Sequence, residues 1–185
     1  VTYHVFNRGN NRENIFLEEK NYVYFLNLVN KHSAPVSDIY DYCLLKNHFH
    51  LLLRIKDKEY LSEKFKSKPH LPFSHLFNSY TKGINSVYGR KGSLFQEHLK
   101  RKRVENEKYL IQLIAYIQLN PLKHGFVQEI NEYKYSSFFN YLTASQSFLS
   151  KDYILSLVDK NDWVHWHDEK KIETKYLMEF MSHCE

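Results

Sequence analysis

Apolar and polar positions alternate loosely through "TYHVFNRG", residues 2–9, and the run stops at Arg8-Gly9. Strand side chains alternate between faces, so this period predicts a first strand followed by a turn. The chain opens inside that strand at Val1, and a few residues are expected to precede it. From Leu17 to Lys31 the period becomes helical, with Tyr22, Phe25, Leu26, Leu28 and Val29 recurring on one side and Pro35 marking the break. "VSDIYDYCLL" (36–45) reads as a second strand and the stretch from His48 to Ile55 as a third. Only Lys46 and Asn47 separate them, which predicts a tight hairpin or a bulge at that point.

A polar, lysine-rich segment (56–70) leads to a second helix over 73–89, whose face carries Phe73, Leu76, Phe77, Tyr80, Ile84 and Val87, with Gly89 as its cap. "SLFQEHLKRKRV" (93–104) reads as a fourth strand with a basic second half. "NEKYLIQLIAYIQLN" (106–120) is the clearest helix: Asn106 can cap it, Glu107 favours its first turn, and Pro121 and Gly125 end it. The order is β-α-β-β-α-β-α. Its first six elements match an α+β, ferredoxin-like split βαβ, one antiparallel sheet with helices packed on it. Beyond Gly125 the pattern weakens. "YKYSSFFNYL" and "KDYILSLV" predict short helices and "DWVHWHDEKK" a surface loop. Residues 128–185 are expected to form a helical extension packed on a domain spanning 1–127, where it could mask an edge strand or contact DNA.

Composition narrows the class. A chain of 185 residues with 43% hydrophobic positions suits one domain, with or without an appended piece. No apolar run approaches the roughly 18 residues of a membrane span, and no signal peptide is visible at the start. Cys43 and Cys184 sit at opposite ends without paired spacing, so no disulfide framework is expected and a reducing cytoplasm is the expected compartment. A net charge of +5 permits a polyanionic partner without demanding one. Its distribution says more: Lys82, Arg90, Lys91, Lys100, Arg101, Lys102 and Arg103 face a single acid, Glu97. Such a run reads equally as a solvated face or as a polyanion-binding surface.

Two histidines interrupt the otherwise apolar third strand. His48 and His50 point to one face, Phe49 and Leu51 to the other. Two imidazoles side by side can bind one metal ion, although two partly exposed histidines would read the same way. A third ligand is needed. In the last helix Leu110, Leu113, Ile114 and Ile117 define the buried stripe, while Tyr116 and Asn120 lie one above the other on its flank, with Gln112 on the same side. Asn120 precedes Pro121, which predicts an amide at the helix end that is free to reach out. An amide oxygen with two imidazoles suits Mg²⁺ or Mn²⁺ at least as well as Zn²⁺. Equally, Tyr116 is one tyrosine among fifteen and Asn120 a helix-ending residue.

Together these stretches resemble the single-tyrosine HUH transposases, and within them the REP-associated tyrosine transposases of bacteria. "YHVFNRGNNRENIF", "KNHFHLLL", "GSLFQEHLKRKRV" and "YLIQLIAYIQLNPLKHGFV" stand in that family's order and spacing, over residues 2–127. Lys46 stands where the family commonly has a proline before the histidine motif, a change confined to a loop. The resemblance implies that residues 1–127 are the catalytic domain of an enzyme that cleaves and rejoins single-stranded DNA beside hairpin-forming palindromes. It implies that His48, His50 and Asn120 hold a divalent metal and that Tyr116 is the nucleophile forming a 5′-phosphotyrosine link.

Lys100, Arg101, Arg103, Arg90, Lys91 and Arg8 are the candidate DNA contacts, with Asn7 beside Arg8. His98 and Lys123 are candidate general bases. Monomer and homodimer both remain open. Three further readings also stay open: a non-catalytic nucleic-acid-binding module on the same sheet, a HUH nuclease of replication or conjugation, and a domesticated relative that is no longer mobile.

Overall fold

The computed structural model describes residues 1–143 and 147–170. Four strands, β1 (Thr2–Arg8), β2 (Ser37–Leu45), β3 (His48–Ile55) and β4 (Lys100–Arg103), form one antiparallel sheet in the order β2-β3-β1-β4. With helices packed on it, this is the α+β, ferredoxin-like arrangement that the pattern predicts. The β2–β3 hairpin turns on Lys46 and Asn47, as their isolation between two apolar runs implies. Its tip is held by the chain leaving β1: Gly9 donates its N–H to the Asn47 carbonyl (2.8 Å), and Ile15 and Phe16 donate to that of Lys46 (2.8 and 3.0 Å). β2 also carries a bulge between Ile39 and Asp41.

The two faces of β3 serve different layers. Phe49 points toward α1 (Glu19–Ser33) and α3 (Leu71–Tyr88), with ring centroids 5.1 Å from Phe25 and 5.4 Å from Phe77. A single turn, α2 (Glu63–Lys66), precedes α3, and Gly89 ends α3 in the left-handed region at φ 63°. Phe25 and Phe49 are fully buried, and burial of such a side chain is worth about 1.5–3 kcal/mol. His50, one residue on, points the other way, toward α4 (Glu107–Lys123). Asn106 caps α4 by accepting the Tyr109 N–H at 2.8 Å.

Three expectations need correction. First, only Lys100–Arg103 of the stretch 93–104 forms a strand, with Phe95 making an isolated antiparallel bridge to Gly9. Leu94 and Phe95 are both buried, and the Phe95 ring packs against Phe49, Phe77 and Tyr80, but the chain is irregular over 96–99 and does not resume pairing until Lys100. Second, α4 does not stop at Asn120. It runs through Pro121 to Lys123, and a Schellman motif closes it: Phe126 donates to the Pro121 carbonyl (2.9 Å) and Gly125, at φ 68°, to that of Leu122 (3.0 Å). Every residue from Leu113 to Pro121 is buried, and that packing outweighs the local preference against helical geometry before proline. Third, residues 163–170 are helical rather than a surface loop. Trp163, Trp166 and His167 fall on one helical face and are buried, with Trp163 stacked on Tyr141 at 4.4 Å.

The segment after Gly125 runs along the outer edge of β2. Leu44 donates to the Tyr135 carbonyl and Ser137 to that of Tyr42 (both 2.9 Å), and Ser150 donates to that of Ile39 (2.8 Å). These bonds satisfy groups that an open edge strand would expose. Two short helices, α5 (Phe138–Leu142) and α6 (Lys151–Leu157), fill the space beside it. Cys43 is buried and free, and Cys184 lies outside the described residues. Among the described residues no helix is long and apolar enough to cross a membrane.

Candidate metal and tyrosine site

The face of the sheet under α4 gathers His48, His50, Tyr116 and Asn120. His48 is 5% exposed and the other three are fully buried. The two imidazoles stand edge to face with centroids 5.3 Å apart. The Tyr116 ring lies edge-on to His50 at 5.8 Å. Asn120 is one turn further along α4, and its side-chain N–H donates to the Tyr116 carbonyl (3.1 Å). Its amide is therefore tied back along the helix and does not project from a helix end as the Asn-Pro dipeptide suggests. His48 Nδ1 pairs with Asn47 Oδ1 at 2.7 Å, which orients the ring at the hairpin tip.

All three predicted ligands can present a lone pair here. His48 Nε2 and Asn120 Oδ1 are buried without a hydrogen-bond partner among the described residues, and such atoms are rare unless something else satisfies them. Burial, then the positive charges of His124, Arg8 and Lys123, pushes His48 down to about 3. Burial, then neighbouring His4, His48, His124 and Lys123, holds His50 well below the ordinary imidazole range. Both rings are neutral near pH 7, the form that binds a cation. No three His, Cys, Asp or Glu side chains group to hold a metal among the described residues. The expected ligands are instead two imidazoles and an amide, donor types of the kind that suit Mg²⁺ or Mn²⁺.

The basic residues separate. Arg8 and Lys100 line the cleft beside His48 and His50, together with Asn7 and Gln96. Strand pairing sets Lys100 opposite Phe6 and Lys102 opposite His4, on the histidine face, whereas Arg101 and Arg103 pair with Val5 and Tyr3 and project from the other. Arg90 is engaged elsewhere, in an ion pair with Glu13 and a hydrogen bond to Asn85. Lys91 is exposed in the loop after α3. Of the two candidate bases, Lys123 sits 5.4 Å above the Tyr116 ring, and His98 is exposed in the irregular stretch before β4.

Sequence reasoning missed His4 and His124, and placed Lys102 in the basic run without naming it as a site residue. His4 Nε2 lies 2.9 Å from His50 Nδ1, and His124 stands 5.0 Å from His48. Alternation in "TYHVFNR" puts His4 on the same face as Phe6, but only the pairing of β1 with β3 brings that face to His50.

A curated protein of Haemophilus influenzae, "Putative REP-associated tyrosine transposase", is 29% identical over 105 residues, covering 52% of this chain and 56% of that protein. The chain is similar to the REP-associated tyrosine transposases in sequence and in fold. The matched stretch thus spans little more than half the length of this relative. The solved structure of a REP-associated tyrosine transposase bound to a REP hairpin superposes with a TM-score of 0.59 at 17% identity, over 82% of this chain and 88% of that one. At that identity the likeness is one of fold. No family model matches the chain.

Proposed function

We propose that this protein is a metal-dependent single-stranded DNA transposase that cleaves and rejoins DNA at hairpin-forming palindromes. The observation that carries the reading is the convergence of Tyr116, His48, His50 and Asn120 on one buried face, with Tyr116 edge-on to His50. The similarity to REP-associated tyrosine transposases supports the substrate class.

In this reading the Tyr116 hydroxyl oxygen bonds to the phosphorus of the scissile phosphate and the 3′ oxygen departs. The DNA is left joined through its 5′ phosphate to the tyrosine, and the tyrosine proton passes to a base as the leaving oxygen gains one. The phosphodiester energy is conserved, so a later 3′-hydroxyl reverses the step and joins a new end. A tyrosine hydroxyl is a weak nucleophile near pH 7, with an ordinary pKa of about 10. His48, His50 and Asn120 would hold Mg²⁺ or Mn²⁺, which supplies charge stabilisation and alignment at the phosphate. Lys123, whose Nζ lies 5.4 Å from the centroid of the Tyr116 ring, places a cation beside the nucleophile's ring. The packing of α4 over the histidines of its own chain supports a reading in which Tyr116 acts with them in cis, as a monomer would use it. Tyr116 has no exposed surface, so α4 must shift off the sheet far enough to admit a phosphate.

That burial is also what favours a second reading, a hairpin-binding module without cleavage. A denaturing gel with labelled single-stranded hairpin DNA, in Mg²⁺, Mn²⁺ or EDTA, separates the two. Cleavage chemistry gives a metal-dependent covalent adduct that disappears in Tyr116→Phe. Binding of the same DNA without an adduct in either protein would leave only the module.

A further inference from the structure

His4 has no part in that reaction, yet it makes a direct side-chain contact to a proposed ligand. We propose that His4 is a positioning residue that selects the cation-binding tautomer of His50; the identity of the site rests on the reading above.

The argument is one of counting protons. His4 Nε2 and His50 Nδ1 lie 2.9 Å apart, so one proton sits between them. A neutral imidazole has a single N–H. If His4 Nε2–H donates, His50 carries its own proton on Nε2 and has no lone pair there for a cation. If His50 Nδ1–H donates, His4 accepts and His50 Nε2 is open to coordination. Only the second arrangement serves a metal site. The outer ring nitrogen of a metal-bound histidine ordinarily donates to an acceptor in this way.

The fold holds His4 in place to act as that acceptor. Its ring stacks on Phe6 at 4.7 Å and on His50 at 5.1 Å, and meets the edge of Tyr116 at 6.3 Å. It is fully buried, and no other hydrogen bond commits it to the donor form, because Nδ1 has no partner among the described residues. A carboxylate would accept equally well but would add a buried charge. An imidazole accepts without one.

Mn²⁺ binding by the whole protein, followed by loss of the free-ion EPR signal, tests this with His4→Phe and His4→Gln. Phe keeps the stacking and removes the acceptor; Gln restores an acceptor through its amide oxygen. We expect His4→Phe to weaken binding about 10–100-fold and His4→Gln to recover most of it, with both variants matching the wild type in far-UV circular dichroism. Unchanged binding in a folded His4→Phe overturns the proposal, and so does an equal loss in both variants, which would indicate packing. Long-range ¹H–¹⁵N NMR of the metal-free wild type is the second measurement. A proton on His50 Nδ1 supports the assignment and a proton on Nε2 overturns it. Failure of the wild type to bind Mn²⁺ would instead count against the enzyme reading, and the NMR result would still decide the tautomer.

Discussion

Gln118 Nε2 donates to Asp41 Oδ1 at 2.9 Å, and both side chains are fully buried. Gln118 stands midway between Tyr116 and Asn120, so this bond fastens the tyrosine helix to β2. Ser137, from the segment that covers the β2 edge, donates to the same oxygen.

The Asp41 carboxyl is pushed up to about 7, because burial outweighs the hydrogen bonds from Ser137, Gln118 and the Tyr42 amide that favour the ion. An unfolded aspartate titrates near 3.9. The folded state thus holds this proton more tightly, and between about pH 4 and 7 its contribution to stability falls as pH rises. Asp41→Asn removes that fall. Urea denaturation should find the variant roughly 1–3 kcal/mol more stable than the wild type near pH 8 and little different near pH 4. A variant that loses more near pH 8 than near pH 4 would mean the carboxylate is needed as an ion.

Cation binding should be visible in stability. A ligand at about 100 times its dissociation constant, bound only by the folded state, adds about 2.7 kcal/mol. Calorimetry with Mn²⁺ should raise the melting temperature, EDTA should reverse the rise, and His48→Ala should abolish it. The same rise in His48→Ala would place the ion elsewhere.

The alternation along β4 separates its cations functionally. Fluorescence anisotropy with single-stranded DNA over a salt series should show Lys100→Ala and Lys102→Ala each weakening binding and reducing the salt slope by about 0.7. Arg103→Ala, on the opposite face, should leave the slope near the wild-type value. The reverse pattern would move the DNA path to the other side of the sheet.

Two glycines hold the ends of the elements that frame the site. Gly125 is left-handed and a methyl there would meet nothing within 4 Å, so Gly125→Ala should cost only the backbone penalty of about 1–2 kcal/mol. Gly9 differs: a Cβ would lie 2.0 Å from the Glu13 carbonyl oxygen. Gly9→Ala should therefore cost more, and should disturb the hairpin tip that Gly9 holds beside His48. Denaturation of both variants orders the two costs.

Local patterns on the chain were enough for the three longer strands, the two-residue hairpin, α1, α3 and the capped start of α4. Each depends on residues close in sequence, whose period or turn chemistry acts before any tertiary contact forms. The same alternation put His48 and His50 on one face, and the helical period put Tyr116 and Asn120 one above the other. Tertiary structure decided the rest. α4 continues through Pro121 because burial from Leu113 onward exceeds a modest local penalty. β4 keeps only four residues: the chain leaves the ladder over 96–99, between the Gly9–Phe95 bridge and Lys100, while the Phe95 ring packs on Phe49 and Phe77. His4 reaches His50, and Gln118 reaches Asp41, across separations of 46 and 77 residues. No local pattern encodes such contacts, because strand register and helix docking are set by the whole core at once.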